Sequence, residues 1–211
     1  FRVQKPVDII FQGESLDLQV SPVSIFQKHK NFRFKGNAYS GSFDGSAGFF
    51  LLDQKHMPSD ARIDFSHLDL GRYSQTGFTF IPLFKGITGL ARGTAFYTRE
   101  DATSRNPIGK ISLYLSRGAY PLTEPFLGMN RIEYDSGEIQ AQLKNDSVTL
   151  EKLEIFGARM NCSLKGDISL AERLEESRLN LKGVLEISDK SKTRMNFTVG
   201  GTMARPTFRY I

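Results

Sequence analysis

Apolar and polar residues alternate one by one along most of this chain. Met160, Cys162, Leu164, Gly166, Ile168 and Leu170 are apolar or glycine, and Asn161, Ser163, Lys165, Asp167 and Ser169 fall between them. A period of two belongs to a strand with one buried and one wetted face. Leu179, Leu181, Gly183, Leu185 and Ile187 repeat the pattern, and Phe197, Val199, Gly201 and Met203 repeat it again. Each segment carries a glycine on its apolar side. A glycine inside a strand weakens it and marks a bend or a close backbone approach, so its recurrence predicts a sheet that must curl.

The same habit runs upstream. Phe32, Phe34, Gly36 and Ala38, then Phe43, Gly45, Ala47, Phe49 and Leu51, predict a hairpin turning at Ser40-Gly-Ser42. Residues 7–11 and 16–20 predict another, around Gln12-Gly-Glu-Ser15. Ser21 to Lys30 reads equally as a short helix, with Ser21 as cap and Pro22 in its first turn, or as an irregular connection. Residues 54–60 read as a loop, and Arg62 to Leu70 as a strand. Leu68 to Tyr73 suits a helical turn. The dense apolar run from Phe78 to Phe84 reads as a plug at the end of the sheet or as an exposed patch.

Beyond it, Ile87, Gly89, Ala91, Gly93, Ala95 and Tyr97 form a small-residue face, and the polar stretch 98–107 is a candidate mobile loop. Ile111, Leu113 and Leu115 predict a strand that ends at Ser116. Residues 121–129, with two prolines, read as a loop or broken helix, and Asp135-Ser-Gly137 as a turn. Leu150 and Leu153 are out of phase, which predicts a bulge or kink at Glu151-Lys152. Ala171 to Glu176 reads as a charged link with one helical turn. The predicted fold class is therefore all-β: an elongated, strongly twisted antiparallel sheet that curls or folds over, with one or two short helices. It forms a single domain over 1–211, with a softer division near 98–108.

Composition narrows the function. Of 211 residues, 28 are Lys or Arg and 23 are Asp or Glu, for a net charge of +5. The signs are interspersed and no basic block exists, so a nucleic-acid groove has no local signature. The single cysteine, Cys162, cannot form an internal disulfide or a multi-cysteine metal site. Its place on an apolar face makes it a small hydrophobe. His29, His56 and His67 lack metal spacing, and only His67, near Asp69, has a carboxylate close in sequence. There is no nucleophile elbow and no phosphate loop. No run reaches the roughly 18 apolar residues of a membrane span. The expectation is a protein without catalysis, metal or cofactor. Starting at Phe1 without a signal peptide, the sequence reads as a trimmed or mature fragment.

The segments Leu164-Lys-Gly-Asp-Ile-Ser-Leu170, Ser177-Arg-Leu-Asn-Leu-Lys-Gly183 and Val199-Gly-Gly-Thr-Met-Ala-Arg-Pro206 resemble the C-terminal region of type II secretion system protein N (GspN). That family is related to the AsmA-like envelope proteins, in which a short helical piece similar to Phe80-Ile-Pro-Leu-Phe-Lys-Gly86 precedes a strand. The resemblance implies a periplasmic, non-enzymatic component of a type II secretion machine, joined to the inner membrane by an N-terminal anchor outside this sequence. Other secretion-system proteins would be its partners, bound by strand addition. The alternative it implies is an AsmA-like groove that binds or transfers lipid. Met160, Cys162, Leu164, Leu179, Leu181, Leu185, Phe197 and Val199 would then line the groove, and the bland reading of the same residues is a closed, dry core.

Overall fold

The structure is a computed structural model, which describes residues 2–4, 9–20, 29–50, 58–75, 86–100, 106–126, 129–188 and 193–211. Alternation becomes strand almost everywhere. In chain order the strands are β1 (Arg2–Gln4), β2 (Ile9–Gln12), β3 (Ser15–Val20), β4 (His29–Ala38), β5 (Gly41–Phe50) and β6 (Pro58–Asp69). Then come helix α1 (Leu70–Gln75), β7 (Leu90–Thr98), β8 (Ile108–Phe126), β9 (Met129–Lys144), β10 (Ser147–Phe156) and β11 (Met160–Ser169). A 3-10 turn at Leu174–Glu176 leads to β12 (Arg178–Ile187), β13 (Thr193–Gly201) and β14 (Pro206–Tyr210).

Twelve of these strands, β3 to β14, form one antiparallel sheet in strict sequence order. The sheet is open: β3 and β14 are its two edges, and it does not close into a barrel. This is the predicted all-β class. At a strand spacing of about 4.8 Å, twelve flat strands would span roughly 55 Å. Such a sheet twists, and with no second layer of comparable size among the described residues it can hide one face by curling. That face is hidden in places: Met160 is 2% exposed, Leu115 4% and Val199 5%.

Several predicted elements are present. The β4–β5 hairpin forms, although its turn is Tyr39-Ser40, whose φ angles are 50° and 62°. Two central residues with positive φ match the twist of the flanking strands. The phase slip at Glu151 is a bulge, where β10 changes register against both β9 and β11. One helical turn does lie within Ala171–Glu176, and Leu70–Gln75 is helical, started by Asp69, whose Oδ1 accepts from the amide of Gly71 at 2.8 Å.

Other expectations are corrected. β2 does not pair with β3; it pairs with β1 in a separate two-stranded sheet, and β3 joins β4. The apolar alternation of β3 matches that of β4 residue for residue, and this long-range register wins over the short turn. His29 and Lys30 begin β4 rather than ending a helix, and Pro58 to Asp60 begin β6 rather than lying in a loop. β8 runs on through Pro121 to Phe126, where a break was expected. Asp135-Ser-Gly137 is not a turn but lies inside β9. Arg117 on β8 and Asp135 on β9 are both skipped in the pairing, so both strands change phase together and the ladder continues. Residues 21–28, 78–84 and 101–105, which carry the helix-or-connection, apolar-plug and mobile-loop readings, lie outside or mostly outside the described residues.

Candidate functional site

Each strand puts one face of its alternation on the same side of the sheet, and the register turns these positions into rows running across the strands. One row is Leu18, Phe34, Gly45, Ile63, Ala95, Ile111, Ala141, Leu150, Gly166, Leu181, Val199 and Phe208. The next is Leu16, Gly36, Phe43, Phe65, Gly93, Leu113, Ile139, Leu153, Leu164, Gly183, Phe197 and Tyr210. Both reach from edge to edge, and the only polar atom in their side chains is the Tyr210 hydroxyl. A one-residue slip on any strand would put a polar residue into at least one of them, so the alternation itself locks the register.

Large and small residues take turns along the first row: Phe34 beside Gly45, Ile63 beside Ala95, Ile111 beside Ala141, Leu150 beside Gly166. The reason is visible at Gly45, where an added Cβ would lie 2.7 Å from the ring of Phe34. The ring lies across the glycine, and the surface stays low.

All eight residues expected to line a groove come together on this face, at β11, β12 and β13. Met160, Leu179, Leu181, Leu185, Phe197 and Val199 are buried in one cluster, with Cys162 and Leu164 packed against it. Their mutual packing makes this end of the face a core. Burial pushes the Cys162 thiol up to about 11. A raised thiol value favours the folded state below the ordinary value of 9.0 and loses that contribution as pH climbs through about 11. At pH 8 the native protein should hold roughly a hundredfold less thiolate than an unstructured cysteine. Iodoacetamide labelling followed by intact mass should therefore be slow on native protein and fast in urea; equal rates would contradict the burial.

The other half of the face is closed only in part: Phe43, Leu113 and Leu115 are buried, and the row through Phe34, Ile63, Ala95 and Ile111 is more open. Toward β3 the inward side chains Phe32, Phe34, Ala47, Ile63, Ala95 and Tyr97 are only half-buried. Ile111 sits mid-sheet between Ala95 and Ala141 and is still 37% exposed. The candidate groove residues of the sequence lie at β11–β13, in the packed end of the face. On β4–β8 the sequence signal of a lower surface is the set of small residues Gly93, Ala95 and Gly109.

On β9, opposite Gly118 of β8, Tyr134 is buried. It is 4% exposed, and its hydroxyl donates to the Thr88 carbonyl at 2.6 Å. The Thr88 amide in turn donates to the Ala119 carbonyl at 2.9 Å. Burial pushes the Tyr134 phenol up to about 12, so it stays a donor at any physiological pH.

The opposite face is polar. Lys152 lies 2.7 Å from Glu138 and 3.1 Å from Glu154, and its hydrogen bond to Glu138 holds that carboxyl below the usual range. Arg92 stacks over Tyr114 at 5.4 Å. His67 is an exposed, hydrogen-bonded histidine, as its sequence setting suggested. His67 bonds Ser66, while Asp69 is spent on the start of α1. It is His29 that meets a carboxylate, Asp60 at 3.2 Å, beside the buried Ser59. Ser59 and Asp60 share the same nitrogen, Nε2, so the trio is not a relay from acid through imidazole to hydroxyl. A hollow of about 350 Å³ between Glu14, Asn37, Ser40, Ser42, Ser66 and His67 is polar and lies off the apolar face. No group of three or more metal-ligating side chains exists among the described residues. Nor is any described helix long and apolar enough to cross a membrane.

No protein-family model matches the chain, and no curated protein and no solved structure matches it.

Proposed function

We propose that the protein binds the acyl chains of lipid along the apolar face, in the more open half between β3 and β8. The observation that supports this most directly is Ile111. A large aliphatic side chain in the middle of a sheet, on the face that elsewhere forms the core, is normally covered. Here it is flanked by two alanines and stands more than a third exposed, inside a row of apolar residues that reaches both edges. Acyl chains need this surface: apolar, continuous and without directional polar groups. Each buried methylene contributes about 0.8 kcal/mol.

Native mass spectrometry of the protein after incubation with phospholipid vesicles tests the reading. A discrete added mass that extracts into organic solvent as phospholipid is expected, together with its loss in Ile111→Glu. The variant should keep the wild-type circular dichroism and a cooperative melt lowered by only a few degrees, because Ile111 is already partly wetted. A bare protein mass under the same conditions would sink the reading.

Membership of a type II secretion machine, a periplasmic location and a tether to the inner membrane rest on the sequence resemblance. The observation that favours such an interaction role is that both edges of the sheet lack a neighbouring strand among the described residues. Crosslinking from residues 98–107 in cells would identify the neighbours, and labelling that yields none would count against this second reading.

A further inference from the structure

We infer that the sheet assembles head to tail with further copies of itself, edge β14 of one copy pairing with edge β3 of the next. The two edges fit each other in four independent ways. First, the sheet holds an even number of antiparallel strands, so β3 and β14 run in opposite directions. A second copy set beside the first in the same orientation therefore offers β3 antiparallel to β14, and the meander continues unbroken. Second, the edges match in length, six residues in β3 and five in β14. Third, both leave apolar side chains of the inner face open to water: Leu18 is 56% exposed and Phe208 62%. The register that continues both apolar rows sets Leu18 opposite Phe208 and Leu16 opposite Tyr210.

The fourth match was not built into that choice. The same register places Asp17 directly opposite Arg209 on the polar face. The surrounding charges agree in sign. Behind Asp17 lie Lys35, with which it pairs at 3.6 Å, and then Asp44 and Asp64 in the adjoining strands. Behind Arg209 come Thr198, Lys182 and Lys165. Along this one row the β3 side carries three carboxylates and one lysine, and the β14 side carries Arg209 and two lysines. Opposite charges facing each other across a strand pair stabilise it, and like charges weaken it. Two β3 edges brought together would supply no cation for Asp17, and two β14 edges no anion for Arg209. The heterologous contact also joins the apolar rows of successive copies, and unlike a two-fold dimer it leaves one edge of each kind free for the next copy. This inference does not depend on lipid being bound.

The test is sedimentation velocity of the full 211-residue chain across a concentration series. A ladder of dimer, trimer and larger species is expected. Asp17→Arg and Arg209→Asp should each weaken association roughly fivefold, and combining them should restore it. In a Cys162→Ser background, Gln19→Cys with Thr207→Cys should give a disulfide-linked ladder on mild oxidation, and either cysteine alone should give none. Asp17, Gln19, Thr207 and Arg209 are exposed, and Cys162→Ser exchanges one atom for another of similar size, so the variants should keep the native circular dichroism. A chain that stays monomeric at every concentration overturns the inference. So does assembly that stops at a dimer, ignores the charge swap, or crosslinks through Gln19→Cys alone.

Discussion

Leu181→Ala is expected to cost about 3 kcal/mol of unfolding free energy, as a leucine removed from a packed core does. Leu181 is 6% exposed and stands in register between Gly166 and Val199. Gly166 has no side chain that could swing into the space left behind, and Val199 is stiff at its branched carbon. The cavity would therefore persist, and a persistent cavity adds its own term to the lost burial. Ile111→Ala, on the same face but already wetted, should cost about 1 kcal/mol or less. Urea denaturation of the two variants measures the difference between the closed and more open halves of the face. If Leu181→Ala cost no more than Ile111→Ala, the face at β11–β13 would be a wet groove rather than a core.

Gly166→Val should be at least as damaging, by roughly 3 kcal/mol or more. Two effects add. The backbone there has φ of 141°, which side chains with a Cβ rarely adopt, and an added Cβ would lie 2.3 Å from the Asn180 carbonyl oxygen. That oxygen belongs to the neighbouring strand and cannot step aside without breaking the β11–β12 ladder. Gly200→Ala is the matched control. Its φ is ordinary, the nearest atom to an added Cβ is Thr207 Oγ1 at 3.5 Å, and the change should be close to neutral. Thermal melts of both variants would decide the point. Similar midpoints would mean that β11 and β12 do not approach as closely as the register implies.

The contrast between these glycines shows how far the sequence could be read. The alternation already separates them by face, since Gly166 keeps the apolar phase of Leu164 and Ile168 while Gly200 falls out of phase with Phe197 and Val199, but the close carbonyl at Gly166 is set by the partner strand alone. The same holds at Asp135-Ser-Gly137. Read alone it has the residues of a turn. Opposite Arg117, which is skipped in the pairing together with Asp135, it lies inside a ladder that resumes in the same register. Residues 121–129 read as a loop or broken helix from their two prolines, since proline cannot donate to a ladder, yet 121–126 continue β8. They remain in the strand, with Pro121 opposite Arg131 in register and a shift between Pro121 and Phe126.

Alternation with a period of two was enough to establish that the chain is all-β and which side chain of each pair faces the core, because in a strand that choice is local. The bulge at Glu151 was legible for the same reason, as a break in a local phase. Which half of the apolar face packs shut, which glycines tolerate a side chain, and that Asp17 and Arg209 fall on matching edges were decided only by the tertiary structure. Those properties depend on how twelve strands are registered and how tightly each part of the sheet curls. Curl and register are sums over residues far apart in the chain, and no single stretch of it contains them.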